Sequence, residues 1–168
     1  MAVVYLSLGS NKGDRVGYIQ QATSILDGLD DVSLIRTSAF YESEPWGVDT
    51  KNWFVNAMIE VKTSQTPQQL LETCQKIEAQ LGRNRELEGH YGDRTLDIDI
   101  IFYGNEIVND ENLTIPHKFF HQRAFTLVPM LELAPNFIHP TLKKTVMQLH
   151  EELENPEMVF LYGTRVDI

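Results

Sequence analysis

The sequence predicts an α+β domain with a ferredoxin-like β-α-β-β-α-β core, an antiparallel sheet carrying helices on one face, followed by a C-terminal helical extension. Three observations predict it. Strand-like and helix-like segments follow one another in that order. Two helix starts carry capping side chains, Asp14 and Thr66. The third and fourth strands alternate apolar and polar residues, the mark of a sheet with two unlike faces.

Each element has its own signal. Val3 to Leu8 is rich in β-formers, and Gly9-Ser10-Asn11-Lys12-Gly13 reads as a turn. After Asp14, Ile19, Ala22, Ile25, Leu26 and Leu29 recur at helical spacing. Val32 to Tyr41 is the second strand and Phe54 to Lys62 the third. The second helix starts at Thr66, with Pro67 in its first turn and Gln69 completing a capping box. Its apolar stripe is Leu70, Cys74, Ile77 and Leu81, and Gly82 ends it. Thr95 to Tyr103 is the fourth strand. From Asn105 the pattern is more irregular, with two helices at about Gln122 to Leu133 and Lys143 to Leu153.

The 168 residues fit a single domain, 1–168. Cys74, the one cysteine, has no internal disulfide partner and sits among apolar helix positions, so a buried thiol in a reducing, cytoplasmic setting is expected. The apolar start of the chain is short and lacks a basic lead, so it reads as a strand rather than a targeting segment, and no apolar run reaches membrane-spanning length. A net charge of −10 argues against non-specific nucleic-acid binding but leaves room for a local arginine cluster and a small polyanion.

Alternation picks out one face of the sheet. If Val55, Ala57, Ile59 and Val61 meet the helices, then Phe54, Asn56 and Met58 point the other way. Leu96, Ile98 and Ile100 likewise place Asp97 and Asp99 beside Phe54 and Asn56. Two carboxylates at i and i+2 on a strand lie roughly 7 Å apart at the backbone and suit magnesium, a hard cation. Alone, such a pair is more often a charged, solvated strand face that deters edge pairing. Arg83, Arg85 and Arg94 in the neighbouring loop-like stretch change that, because guanidinium forks bind phosphate oxygens. Fixed carboxylates, metal and arginines are the parts phosphoryl transfer needs. His117, after Pro116, reads either as a phosphate or ribose contact or as structural. His121 lies four residues on, but no acidic partner completes a zinc motif. No G-x-x-x-x-G-K-[ST] loop and no protein-kinase motif set are present.

The stretch Gly92-Asp93-Arg94-Thr95-Leu96-Asp97-Ile98-Asp99-Ile100 matches a G-x-R-x-x-D-[LIV]-D-[LIV] signature. In order along the chain stand Gly9-Ser10-Asn11, Phe40-Tyr41, Asn56-Ala57, Glu78, Gly82-Arg83 and Pro116-His117 with Arg123 and Phe125. By these residues the chain resembles the 6-hydroxymethyl-7,8-dihydropterin pyrophosphokinases of folate biosynthesis. The resemblance implies a ferredoxin-like fold and magnesium-dependent pyrophosphoryl transfer from ATP to a pterin, with release of AMP. It implies two magnesium ions on Asp97 and Asp99, and Arg83 and Arg94 on the triphosphate. Gln75, Glu78, Arg85, Tyr91, Ile100, Thr114, His117, Lys118 and Arg123 would serve the ATP side. The pterin would lie between Phe54 and Phe125, with Asn56 on its edge and Ser43, Glu44, Trp46 and Asp97 around it. Small-molecule substrates, no nucleic-acid or membrane partner and a monomeric state are the corresponding expectations.

The chain departs from the family pattern in places. Phe54 stands where some members have tyrosine, Tyr91 where some have tryptophan, and Asn112 where some have arginine; the loop from Ser43 to Asn52 differs in composition. A non-catalytic module using its open sheet face for RNA would need an aromatic strand motif and a basic surface, both absent from the sequence. A transferase with another acceptor differs only in the residues assigned to the pterin.

Overall fold

The computed structural model describes residues 1–83 and 93–163. The strands are β1 (Ala2–Ser10), β2 (Val32–Thr37), β3 (Phe40–Ser43), β4 (Phe54–Thr63), β5 (Asp97–Tyr103), β6 (Val108–Asn109), β7 (Thr114–Ile115) and β8 (Val159–Gly163). The helices are α1 (Arg15–Asp27), α2 (Pro67–Gln80), α3 (Ala124–Leu133) and α4 (Val146–Glu151), with a 3-10 turn at Phe120–Gln122. The main sheet runs β5-β1-β4-β3-β8, with β2 also paired to β4, and β6 and β7 form a small hairpin. The pairings of the main sheet are antiparallel.

Both foreseen helix starts are built as their sequences require. The Asp14 carboxylate accepts from Gly17 N–H at 3.0 Å and caps α1. Thr66 and Gln69 exchange the two bonds of a capping box at the start of α2. Gly82 ends α2 at φ 91°, a conformation that favours glycine. That turn lets Arg83 N–H reach back to the Glu78 carbonyl at 3.0 Å.

Val55, Ala57, Ile59 and Val61 pack with Ile98, Ile100 and the stripes of α1 and α2 in one buried core. The opposite face is partly covered too. Met58, Tyr5, Ile101 and Phe102 form a second core with Leu127, Met130 and Leu133 of α3 and Val146 and Leu149 of α4. The C-terminal extension is therefore the second layer on that face, and Phe54, Asn56, Asp97 and Asp99 lie outside the core it builds. A bulge where β1 passes Tyr5/Leu6 makes the change of face possible. Up to Ile100 strand β5 alternates; then Ile101 and Phe102 both enter the second core.

Three expectations are corrected, and one strand was missed. β1 continues through Gly9 and Ser10, which are strand rather than turn. The Val32 to Tyr41 strand is two strands. At its break Ala39 N–H donates to both oxygens of Glu132 at 3.1 Å and Ser38 Oγ accepts from Met58 N–H at 2.8 Å; Ser38 N–H keeps its bond to the Met58 carbonyl, so side chains replace part of the ladder there. The fourth strand begins at Asp97 rather than Thr95. Strand β8 was not foreseen: it adds to the β3 edge, Ser43 opposite Val159. Cys74 is buried, as expected. Among the described residues, no helix is long and apolar enough to cross a membrane.

Candidate active site

Strand register builds the floor of the site. Gly9 of β1 lies between Asp97 of β5 and Asn56 of β4, and Ser7 lies opposite Asp99. A Cβ on Gly9 would stand 3.1 Å from Asn56 Oδ1 and 3.7 Å from the Phe54 ring, so glycine keeps this floor open. Asn56 is buried and donates through Nδ2 to Ser43 Oγ at 2.7 Å, which fixes the orientation of its amide. Over this floor lies a cavity of about 320 Å³, lined by Trp46, Gly47 and Val48 of the loop after β3 and by Phe119, Arg123 and Phe125. Aromatic walls with a few oriented polar groups suit a flat heteroaromatic ligand.

A second cavity, of about 360 Å³, adjoins it. Leu71 and Gln75 of α2, Ile98 and Ile100 of β5, and Thr114, His117 and Lys118 line it. Asp99, Phe119 and Arg123 belong to both cavities, so the two spaces meet at a carboxylate and a guanidinium.

The charges at that junction are strongly organised. Arg83 Nη1 donates to Asp97 Oδ1 at 2.7 Å, to Glu78 Oε2 at 2.9 Å and to the Leu96 carbonyl at 3.3 Å. Arg94 Nη1 stands 3.6 Å from Asp97 Oδ2. Asp97 thus has cationic neighbours on both oxygens. For Asp99, burial pushes the carboxyl up to about 7, with the charge of Asp97 adding to it. Burial likewise lowers Arg123, against the opposing pull of Asp99 and Asp97. The Arg123 guanidinium lies 4.8 Å from the Trp46 ring centre and 5.2 Å from those of Phe119 and Phe125. Its Nε is buried with no hydrogen-bond partner among the described residues. His117 is pushed down to about 4 by burial and then by Arg123, so its ring is neutral at physiological pH. Its Nδ1 accepts from Phe119 N–H at 3.2 Å, which leaves the proton on Nε2, 3.9 Å from Asp99 Oδ2.

A polar knot ties the segment before β5 to the loop after β3. Asn11 Oδ1 accepts from Arg94 N–H at 2.7 Å, and its Nδ2 donates to the Asn52 carbonyl at 3.2 Å and to Asp93 at 3.0 Å. Thr50 and Asn52 also donate to Asp93. Asn11 therefore positions the Arg94 backbone, a physical reason for asparagine at the end of the Gly9-Ser10-Asn11 run.

Of the residues singled out from sequence, Ser43, Glu44, Trp46, Phe54, Asn56, Arg94, Asp97, Asp99, Arg123 and Phe125 come together around the first cavity. Gln75, Ile100, Thr114, His117, Lys118 and Arg123 come together around the second, along with Asn112. Glu78 and Arg83 line neither. Glu78 is buried and accepts from Ile98 N–H at 2.8 Å as well as from Arg83, so it holds the carboxylate strand from behind. Arg83 is gripped at the base of the site rather than carried on a free arm. Arg85 and Tyr91 lie outside the described residues. Ser7, Gly9 and Phe119 were missed; Gly9 lay in a run read as a turn, and Phe119 faces the site only because of the turn before α3.

The donor set fits magnesium. Asp97 and Asp99 are hard oxygen donors two residues apart on one strand, and Asp99 opens onto both cavities. Among the described residues no cluster of three or more His, Cys, Asp or Glu forms a closed metal cage, so water and phosphate oxygens would complete the coordination.

A ferredoxin-like sheet bearing two adjoining cavities, with carboxylates and arginines where they meet, defines a transferase that brings two small substrates together. The 7,8-dihydro-6-hydroxymethylpterin-pyrophosphokinase profile matches residues 5–135, and the chain belongs to that family and is an enzyme, a pyrophosphokinase. The 2-amino-4-hydroxy-6-hydroxymethyldihydropteridine pyrophosphokinase of Aquifex aeolicus is 40% identical over 152 residues, 90% of this chain and 92% of that protein. The protein of the same name from Methylorubrum extorquens is 42% identical over 138 residues, 82% of this chain and 86% of its own. The solved Plasmodium falciparum HPPK-DHPS wild type with SDX-DHP shares the fold at a TM-score of 0.73 and 16% identity, over 90% of this chain and 44% of that one. The chain thus spans less than half of that solved protein, and the likeness concerns the fold alone.

Proposed function

We propose that this chain, acting as a single-domain cytoplasmic monomer, transfers the pyrophosphoryl group of ATP to the hydroxymethyl oxygen of 6-hydroxymethyl-7,8-dihydropterin in folate biosynthesis. The pterin occupies the first cavity, stacked between Phe54 and Phe125 with its edge on Asn56. ATP occupies the second, its phosphates at the junction. The hydroxymethyl oxygen bonds to the β-phosphorus, the bond from that phosphorus to the α–β bridging oxygen breaks, and AMP leaves. Two magnesium ions on Asp97 and Asp99 supply charge neutralisation and a template for the phosphates. Arg94 and Arg123 stabilise charge developing on the transferred group, and Arg123 also packs the aromatic wall. Arg83 holds Asp97 in place. Asp97 and Asp99 are the proton acceptors at hand for the hydroxyl. The loop around Trp46 excludes water, which would otherwise compete as acceptor.

The observation that carries this reading is the pair of adjoining cavities sharing Asp99, Phe119 and Arg123. It is tested by incubating the protein with ATP, magnesium and the pterin and separating the nucleotides. AMP is expected only when all three are present. Formation of ADP, or loss of ATP without pterin, would overturn it.

A further inference from the structure

We propose that Glu157 is a positioning residue for the acceptor cavity, holding the first turn of α3 and with it Arg123 and Phe125. The proposal rests on the reading that this cavity takes the pterin.

Helix α3 begins without a capping side chain of its own for its first amides. Its N-cap residue is Arg123, which makes no side-chain capping bond, whereas a cap normally supplies an acceptor oxygen. Farther on, Pro129 has no N–H to offer the Phe125 carbonyl four residues back. The missing acceptor arrives from beyond α4. Glu157 Oε1 accepts from Ala124 N–H at 3.0 Å, and Oε2 accepts from Phe125 N–H at 3.1 Å. A carboxylate at this end also meets the positive pole of the helix.

The segment that delivers Glu157 also grips the β3 exit that lines the same cavity. Asn155, at φ 48°, and Pro156 turn the chain back after α4. Met158, the next residue, is bonded twice to Glu44. Glu44 N–H donates to the Met158 carbonyl at 3.1 Å, and Met158 N–H donates to Glu44 Oε1 at 2.7 Å. Val159 then pairs with Ser43. Two consecutive residues therefore fasten two separate parts of the lining of one cavity. One holds the α3 start that carries Arg123 and Phe125, and the other holds the β3 exit with Ser43 and Glu44. Both residues lie beyond position 135, where the match to the family profile ends.

The test compares Glu157→Ala and Glu157→Gln with the wild type as full-length chains. Glutamine keeps one acceptor oxygen, so one of the two amide bonds survives. Amide hydrogen exchange across residues 124–126, without ligand, reads the clamp itself; calorimetry with the pterin, and its KM beside kcat, reads the positioning. In Glu157→Ala, exchange should quicken and pterin affinity fall by roughly tenfold, the scale of a lost helix cap, with KM affected more than kcat. Glu157→Gln should recover part of both. Unchanged exchange in the alanine variant would remove the clamp. Quicker exchange with pterin affinity within about twofold of wild type would reduce Glu157 to a stabilising role and overturn the proposal. Failure of the wild type to bind the pterin would instead sink the substrate reading, with exchange still deciding the clamp.

Discussion

Asp99→Asn should make the metal-free protein more stable while destroying its activity. The cause is the burial and the Asp97 charge that raise the Asp99 carboxyl from 3.8 to about 7. At about 1.36 kcal/mol per pKa unit, that step is worth at most about 4 kcal/mol. The side chain keeps 29% of its surface open to the cavity, so water screens part of the cost and about 1–2 kcal/mol is expected. Because the folded state holds this proton more tightly than the unfolded chain, the stabilising contribution is complete below about pH 4 and is lost as pH rises through about 7. The variant lacks that slope. Calorimetric melting in a chelator should therefore show little difference from wild type at about pH 4 and a gain of roughly 2–6 °C for the variant at about pH 8. Adding magnesium and a non-hydrolysable ATP analogue should raise the wild type more than the variant, and turnover of the variant should fall by about 100-fold or more. A variant less stable than wild type at high pH, or a gap that does not widen with pH, would refute the electrostatic reasoning. Equal stabilisation by magnesium and nucleotide would refute Asp99 as a ligand.

Three further outcomes follow from the same geometry. Phe54→Ala and Asn56→Ala should weaken pterin binding by roughly tenfold or more while leaving the affinity for an ATP analogue nearly unchanged; titration calorimetry on each folded variant checks this, and a fall in melting temperature alone would make both residues merely structural. Gly9→Ala should fold, yet its new Cβ, 3.1 Å from Asn56 Oδ1, must shift that amide by a few tenths of an ångström, so the pterin KM should rise by roughly fivefold while that for ATP stays put; an unchanged pterin KM would mean that the amide need not sit where it does. Arg94→Lys should lower kcat by about tenfold or more with pterin affinity retained, because a point charge replaces a fork, and full activity in single-turnover assays would show that charge alone matters.

Much of the site could be read from the sequence because strands have a period of two. Phe54, Asn56, Asp97 and Asp99 share a face by counting alone, and the register places them as neighbours across β1. Capping chemistry was equally local, which is why Asp14, Thr66 and Gln69 were legible. What was not legible depends on partners far along the chain. The break at Ser38 and Ala39 is held by Glu132, 93 residues from Ala39. Strand β8 pairs with β3 although Phe160, Leu161 and Tyr162 remain exposed, so no apolar alternation announces it. The all-round apolar run of α3 did carry a signal of burial on the second face. Without the bulge, though, nothing in β5 showed that Ile101 and Phe102 would both turn toward it.

The wall common to the two cavities has a thermodynamic consequence. Asp99, Phe119 and Arg123 cannot adjust to an occupant of one space without presenting an altered surface to the other. A reorientation of Arg123 toward phosphate oxygens would change the aromatic stack it makes with Trp46 and Phe125, and filling that stack would change its readiness for phosphate. Whatever factor one substrate confers on the affinity of the other must be returned in full by the second, since both routes around the binding cycle end in the same ternary complex. An inhibitor built for either space would therefore have an affinity that depends on the occupancy of its neighbour.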